Sequence, residues 1–188
     1  MNKTEQIILG IDPGTNIMGY GLICAKGTKI SLIKMGILKL DAKKNALNKL
    51  EDIFTSVSSL ITTYQPQEMA IEAPFFGKNV QSMLKLGRAQ GVAIAAGLHH
   101  HLPIYEYAPR KVKMAIVGKG AASKEQVCSM LSNLVNGMNS EDIPAFDASD
   151  AVAIAYCHYL QNKQLTNNSK SYAGWEGFLS QNKDRIIR

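Results

Sequence analysis

Long apolar runs are missing from this 188-residue chain. The longest, at 92–98 and 151–157, are about seven residues, far short of the ~18 at which a membrane-spanning helix is suspected. No membrane partner is therefore expected. The apolar run at 7–11 is too short for a secretory leader and passes straight into a strand-like segment. Cysteine is scarce as well. Cys24, Cys128 and Cys157 are widely spaced, odd in number and form no CxxC, which supports neither a disulfide framework nor a zinc ribbon. A reducing, cytoplasmic setting is the expectation. Charge is sparse, at 19% of residues against ~25% in an average domain. With 46% hydrophobic residues, that excludes wholesale disorder. There is no internal repeat and no phosphate-binding P-loop, because Gly118-Lys119-Gly120 lacks the Gly-Lys-Ser/Thr ending. What is present is a modest basic excess: 21 Lys plus Arg against 15 Asp plus Glu, a net +6. It points to a polyanionic partner and says nothing of the chemistry. The length fits one domain with a sizeable core.

The first forty residues read as strands. Residues 7–11 are wholly apolar, as in a strand buried on both faces, and 19–24 and 29–40 follow after turns at Asp12-Pro13-Gly14 and Lys26-Gly27. From 45 to 64 apolar residues recur every three or four positions, one face of an amphipathic helix. A short strand at 69–72 precedes a long helix opened by Asn79 and reaching 98. A fifth strand at 103–107 precedes helices at 110–117, 123–134 and 144–160, the second opened by a Ser123/Gln126 capping box. Three leading strands, then strands alternating with helices, predict an α/β fold: one mixed five-stranded sheet with helices on both faces. Residues 161–188 turn polar and read as a tail to a domain spanning 1–160.

The acidic residues fall in informative places. Asp12 ends the first apolar strand and Glu72 the fourth, while Asp147 and Asp150 are spaced i, i+3 at the start of the last helix and face the same way. Carboxylates at the ends of buried strands are costly without partners. Two accounts fit this spacing. Either the four converge on a divalent cation, with oxygen-only ligands selecting Mg²⁺ or Mn²⁺, or they are separate solvated groups, the helical pair stabilised by the helix dipole.

The blocks Leu9-Gly-Ile-Asp12-Pro-Gly-Thr-Asn-Ile-Met-Gly19-Tyr-Gly21, Ala70-Ile-Glu72-Ala-Pro-Phe75 and Asp147-Ala-Ser-Asp150-Ala-Val-Ala-Ile154 together resemble the bacterial RuvC family. These are crossover-junction endodeoxyribonucleases with the ribonuclease-H-like fold. The resemblance continues through Lys85-Leu-Gly-Arg88-Ala-Gln-Gly91 and Tyr107-Ala-Pro-Arg110-Lys-Val-Lys113, covering roughly 7–160. It implies that Asp12, Glu72, Asp147 and Asp150 hold two Mg²⁺ ions, with Mn²⁺ as a substitute, and that these hydrolyse phosphodiesters by a two-metal mechanism. The family's products are a 5′-phosphate and a 3′-hydroxyl. The implied substrate is four-way junction DNA, cut as paired symmetric nicks in recombination and repair, by a homodimer working with a branch-migration motor.

The same resemblance sorts the remaining residues. Phe75 matches a family phenylalanine three residues after the glutamate and would stack on an unpaired base, worth ~1–3 kcal/mol; core packing is the alternative, and Phe76 beside it would take the other role. Lys113 and Lys124 match positions used for catalysis or DNA contact, and Lys113 is assigned both. Lys78, Lys85, Arg88, Arg110 and Lys119 complete the expected DNA-binding set, each neutralised phosphate steepening the salt dependence by about 0.9; a solvated helix face is the bland alternative for Lys78, Lys111 and Lys119. Where many members have Ser-Arg after the Asp-Pro-Gly turn, this chain has Thr15-Asn16. The small residues of 86–98 fit either a dimer interface on a two-fold axis or a core helix. His99-His100-His101 reads as a surface cap at a helix end.

The first motif also resembles the phosphate loop of the actin/Hsp70/sugar-kinase ATPases, but those need two lobes and 188 residues supply one. A ribonuclease-H-like nuclease acting on RNA is a further reading. A non-catalytic junction-binding protein is another, disfavoured by four intact acidic residues.

Overall fold

Consecutive apolar residues along β1 (Glu5–Asp12) demand cover on both faces. Ile8 packs into one core layer, and Leu9 and Ile11 into the other. The structure is a computed structural model and describes residues 5–74, 79–139, 141 and 143–167. β1 is the central strand of a five-stranded sheet ordered β3-β2-β1-β4-β5. β2 (Ile17–Lys26) runs antiparallel to β1, and β3 (Lys29–Lys39) antiparallel to β2. β4 (Glu68–Glu72) and β5 (Ile104–Tyr107) extend the other side in parallel. Helices α1 (Ala46–Tyr64) and α2 (Val80–His99) line the face of Leu9 and Ile11. Helices α3 (Pro109–Val117), α4 (Lys124–Leu134) and α5 (Phe146–Asn167) line the face of Ile8. This is the expected mixed sheet between two helical layers. No helix among the described residues is long and apolar enough to cross a membrane.

Local signals set most boundaries. Asn45, Asn79 and Ser123 each accept a backbone N–H of the first helical turn, and Gln126 completes the capping box. Gln65 closes α1 in the left-handed region at φ 49° just before Pro66. The last helix differs from expectation at both ends. It starts at Phe146 rather than 144, and it continues past 160 to Asn167. A switch to polar residues marks the loss of buried neighbours, not of helical backbone, and Gln, Lys and Leu keep good helix propensity. The tail beyond Asn167, like Phe75 and Lys78, lies outside the described residues.

α5 is buried on every side from Ala151 to Tyr159, because it lies directly on the sheet. Two glycines permit that approach. A Cβ on Gly10 would fall 2.0 Å from the Ala151 carbonyl oxygen, and one on Gly19 would fall 1.9 Å from that of Asp147. These contacts fix where the first turn of α5 sits relative to the end of β1.

Candidate active site

The alternation of a strand decides which way its last side chain points. Ile8 and Gly10 face α5, so Asp12 does too. Ala70 packs in the same layer, which carries Glu72 to that face. β1 and β4 are parallel neighbours with Ile11 opposite Ile71, so both acids leave the sheet at one edge. The i, i+3 pair on α5 is held over that edge by the Gly19 contact. One carboxylate oxygen each from Asp12, Asp147 and Asp150 lies within 4.8 Å of the others. Glu72 stands just outside this trio and lines the same cleft, of about 440 Å³, with Asp12, Asp150, Lys113 and Lys124.

The electrostatics of the group are strained. Burial, then the neighbouring Glu72, Asp150 and Asp147 charges, push Asp12 up to about 8. Burial and Asp150 push Glu72 up to about 7. Asp150 is also raised by burial, against the pull of Lys124. Lys124 is the counter-ion: its Nζ lies 2.5 Å from Asp150 Oδ2 and 3.9 Å from Asp147 Oδ1. Although burial works the other way, these bonds hold its ammonium above the usual lysine value. Lys113 is committed differently, donating to the Ala122 carbonyl at 2.7 Å while its charge reaches Glu72 and Asp150. Two lysines against four carboxylates leave negative charge in excess once all four are ionised. An all-oxygen donor set of this kind fits Mg²⁺ or Mn²⁺.

The other expected residues are spread more widely. Arg110 and Lys119 are exposed on α3 and the turn after it. Lys85 and Arg88 line a different cleft on the opposite side of the sheet, with Thr15 and Asn16. The basic residues therefore stand on both faces around the Asp12 end of β1. Two features are not legible in the sequence. Lys124, expected at a position used for catalysis or DNA contact, is also the counter-ion of Asp150, and nothing local links the two. Buried Gln90 on α2 donates to the Glu72 carbonyl (3.1 Å) and to Glu106 (2.9 Å), tying the helix to the end of β4; its place in the small-residue stretch was the available signal.

This topology, with acids at the ends of β1 and β4 and in the first turn of α5, is a ribonuclease-H-like α/β fold bearing an acidic site. The family model described as crossover junction endodeoxyribonuclease RuvC matches residues 8–158. The RuvC protein of Bacteroides fragilis is 55% identical over 183 residues, covering 97% of this chain and 96% of its own length. That of Cytophaga hutchinsonii is 52% identical over 183 residues, 97% of this chain and 88% of the relative. Among solved structures, Thermus thermophilus RuvC in complex with a Holliday junction substrate superposes with a TM-score of 0.79 at 30% identity, covering 86% of this chain and 97% of the other. The chain belongs to the RuvC family of crossover junction endodeoxyribonucleases. The likeness to the curated relatives extends into the segment after Asn167.

Proposed function

We propose that this chain resolves four-way (Holliday) DNA junctions by paired symmetric nicks, hydrolysing phosphodiester bonds in recombination and repair. The observation that carries this reading is the trio Asp12, Asp147 and Asp150, gathered within 4.8 Å where β1 meets α5. Asp12, Glu72, Asp147 and Asp150 would hold two Mg²⁺ ions, with Mn²⁺ as a substitute. Bound there, the metals would activate water for attack and neutralise charge on the leaving oxygen. The protein's part is to hold four carboxylates ready in a half-buried cleft, so that little reorganisation accompanies the reaction. Lys113 and Lys124 place two ammonium groups on the wall of that cleft, where they would meet the scissile phosphate. Arg110 and Lys119 extend the basic surface along α3. Lys78 adds to the DNA contacts and Phe75 stacks on an unpaired base at the junction centre.

A homodimer suits a substrate that is itself two-fold symmetric. On α2 the exposed Val80, Leu84, Gly87, Gly91, Ala95 and Leu98 recur every three or four residues, an apolar seam on the solvent side that a second copy would cover. The setting is the cytoplasm, beside a branch-migration motor.

The test compares a mobile four-way DNA junction, linear duplex and structured RNA, each with Mg²⁺ or EDTA. Metal-dependent paired nicks confined to the junction are expected. Equal cutting of RNA, or binding with no nicks, would return the function to a ribonuclease or to a non-catalytic junction-binding protein.

A further inference from the structure

The cleft that holds Lys85 and Arg88 has a composition of its own. It encloses about 310 Å³ between α1, α2 and the turn 13–16, on the far side of the sheet from the carboxylates. Four cations line it, Lys44, Lys49, Lys85 and Arg88, and no acid does. Its floor is apolar, formed in part by buried Ile53 and Ala89. Lys44 is paired with Asp52 at 2.8 Å. Lys49, half-buried, donates to the neutral Asn16 Oδ1 at 3.0 Å, and among the described residues neither it, Lys85 nor Arg88 forms an ion pair. Like charges gathered over a low-dielectric floor repel one another and raise the local potential for anions. The wall is also well fixed: Asn16 accepts the Leu40 N–H at 2.8 Å, tying the turn to the end of β3 as Lys49 ties it to α1. That turn follows directly from Asp12.

We propose that this cleft is a second phosphate-binding site, in which Lys44 in the turn before α1 and Lys49 of α1 join Lys85 and Arg88 to grip the phosphodiester backbone of DNA leaving the carboxylate cleft. The inference rests on the nuclease reading for the identity of its ligand. A strand passing the Asp12 end of β1 meets Lys124 on one face of the sheet and Lys49 on the other, so one duplex arm is held from both sides. The apolar floor suits the sugars between phosphates.

The test is a Lys44→Gln/Lys49→Gln double variant, binding a labelled four-way junction in EDTA, followed by anisotropy from 50 to 300 mM salt. Two lost phosphate contacts flatten the log–log salt slope by about 1.8, and affinity at low salt falls about tenfold or more. Lys44→Arg/Lys49→Arg retains the wild-type slope, and unchanged melting shows that Asn16 has not lost its anchor. An unchanged slope and affinity in the Gln variant would overturn the proposal. So would protection of these lysines from acetylation by 10 mM inorganic phosphate but not by junction DNA, which assigns the cleft to a small anion. Because no cleavage is measured, the result stands apart from the nuclease reading, which is tested separately by the wild type's nicking of junctions and RNA in Mg²⁺.

Discussion

His158 and Asp150 belong to the same buried helix, yet their surroundings are built in opposite ways. His158 is fully buried and fully answered. Its Nδ1 lies 2.7 Å from the Tyr107 hydroxyl and its Nε2 2.7 Å from Glu68 Oε2, which also accepts from Asn162 at 2.9 Å and Gln6 at 2.6 Å. Burial pushes Tyr107 up to about 12, so its hydroxyl stays protonated and donates. Burial likewise keeps the imidazole below its usual value against the pull of Glu68. A neutral ring with its proton on Nε2 satisfies every partner. At the other end of α5, the ion pairs of the carboxylate trio all fall on one lysine, Lys124, and burial and neighbouring charges push Asp12 up to about 8. The first cluster is complete within the chain and fastens α5 to β4 and β5. The second is left with more carboxylates than partners, room for the cation proposed above. Polar satisfaction separates the cluster that fastens the fold from the cluster proposed to act.

Removing Asp12 tests the open end most severely. Asp12→Asn is expected to lower junction cleavage by on the order of 10³-fold or more, the scale of losing one preorganised electrostatic group, with junction binding retained in a gel-shift assay. Loss of binding along with cutting would make Asp12 part of the scaffold and erase the contrast. His158→Ala tests the closed end. It strands Glu68 and Tyr107 and should cost about 3 kcal/mol in urea unfolding, while Mg²⁺ still raises the melting temperature by its wild-type increment. A loss of metal stabilisation instead would mean that the two ends act as one unit.

The smallest effect is a pH dependence, and its sign follows from the direction of the shifts. Asp12 and Glu72 hold protons in the metal-free fold to about 8 and about 7, above their ordinary carboxylate values. Their contribution to metal-free stability is therefore full below about pH 4 and is lost as pH rises through 7 to 8. A divalent cation binds the ionised form, so Mg²⁺ affinity should tighten by about a hundredfold between pH 6 and 8 and then level off. Calorimetric titrations at pH 6, 7, 8 and 9 measure this. Equal affinity throughout would show that the carboxylates are already ionised and the acidic end is less strained than described.

Much of the frame was legible along the chain because its signals are local. The apolar 7–11 run announced a strand buried on both faces, Asn79 and Ser123 announced helix starts, and i, i+3 spacing put Asp147 and Asp150 on one side of a helix. The site was legible as a set of acids whose convergence stayed undecided. Less legible were pairings that cross the fold. Lys124 meets Asp150 from 26 positions away and Lys49 meets Asn16 from 33, and no periodicity encodes a contact of that reach. The helix end at Asn167 is not legible in the sequence, because polarity reports burial rather than backbone.

By itself the sequence determined which side chains share a face: Asp12 with Gly10 and Ile8, Glu72 with Ala70, Asp147 with Asp150. Those relations follow from the two-residue period of a strand and the turn of a helix, which need no partner. Only the tertiary structure decided that the three faces meet. Parallel pairing of β1 with β4 aligned the strand ends, and the approach of α5 over Gly10 and Gly19 brought the helical pair above them. The same packing withdrew Asp12 from water and divided the basic residues between two faces of the sheet, because burial and charge environment depend on every element that packs against a residue.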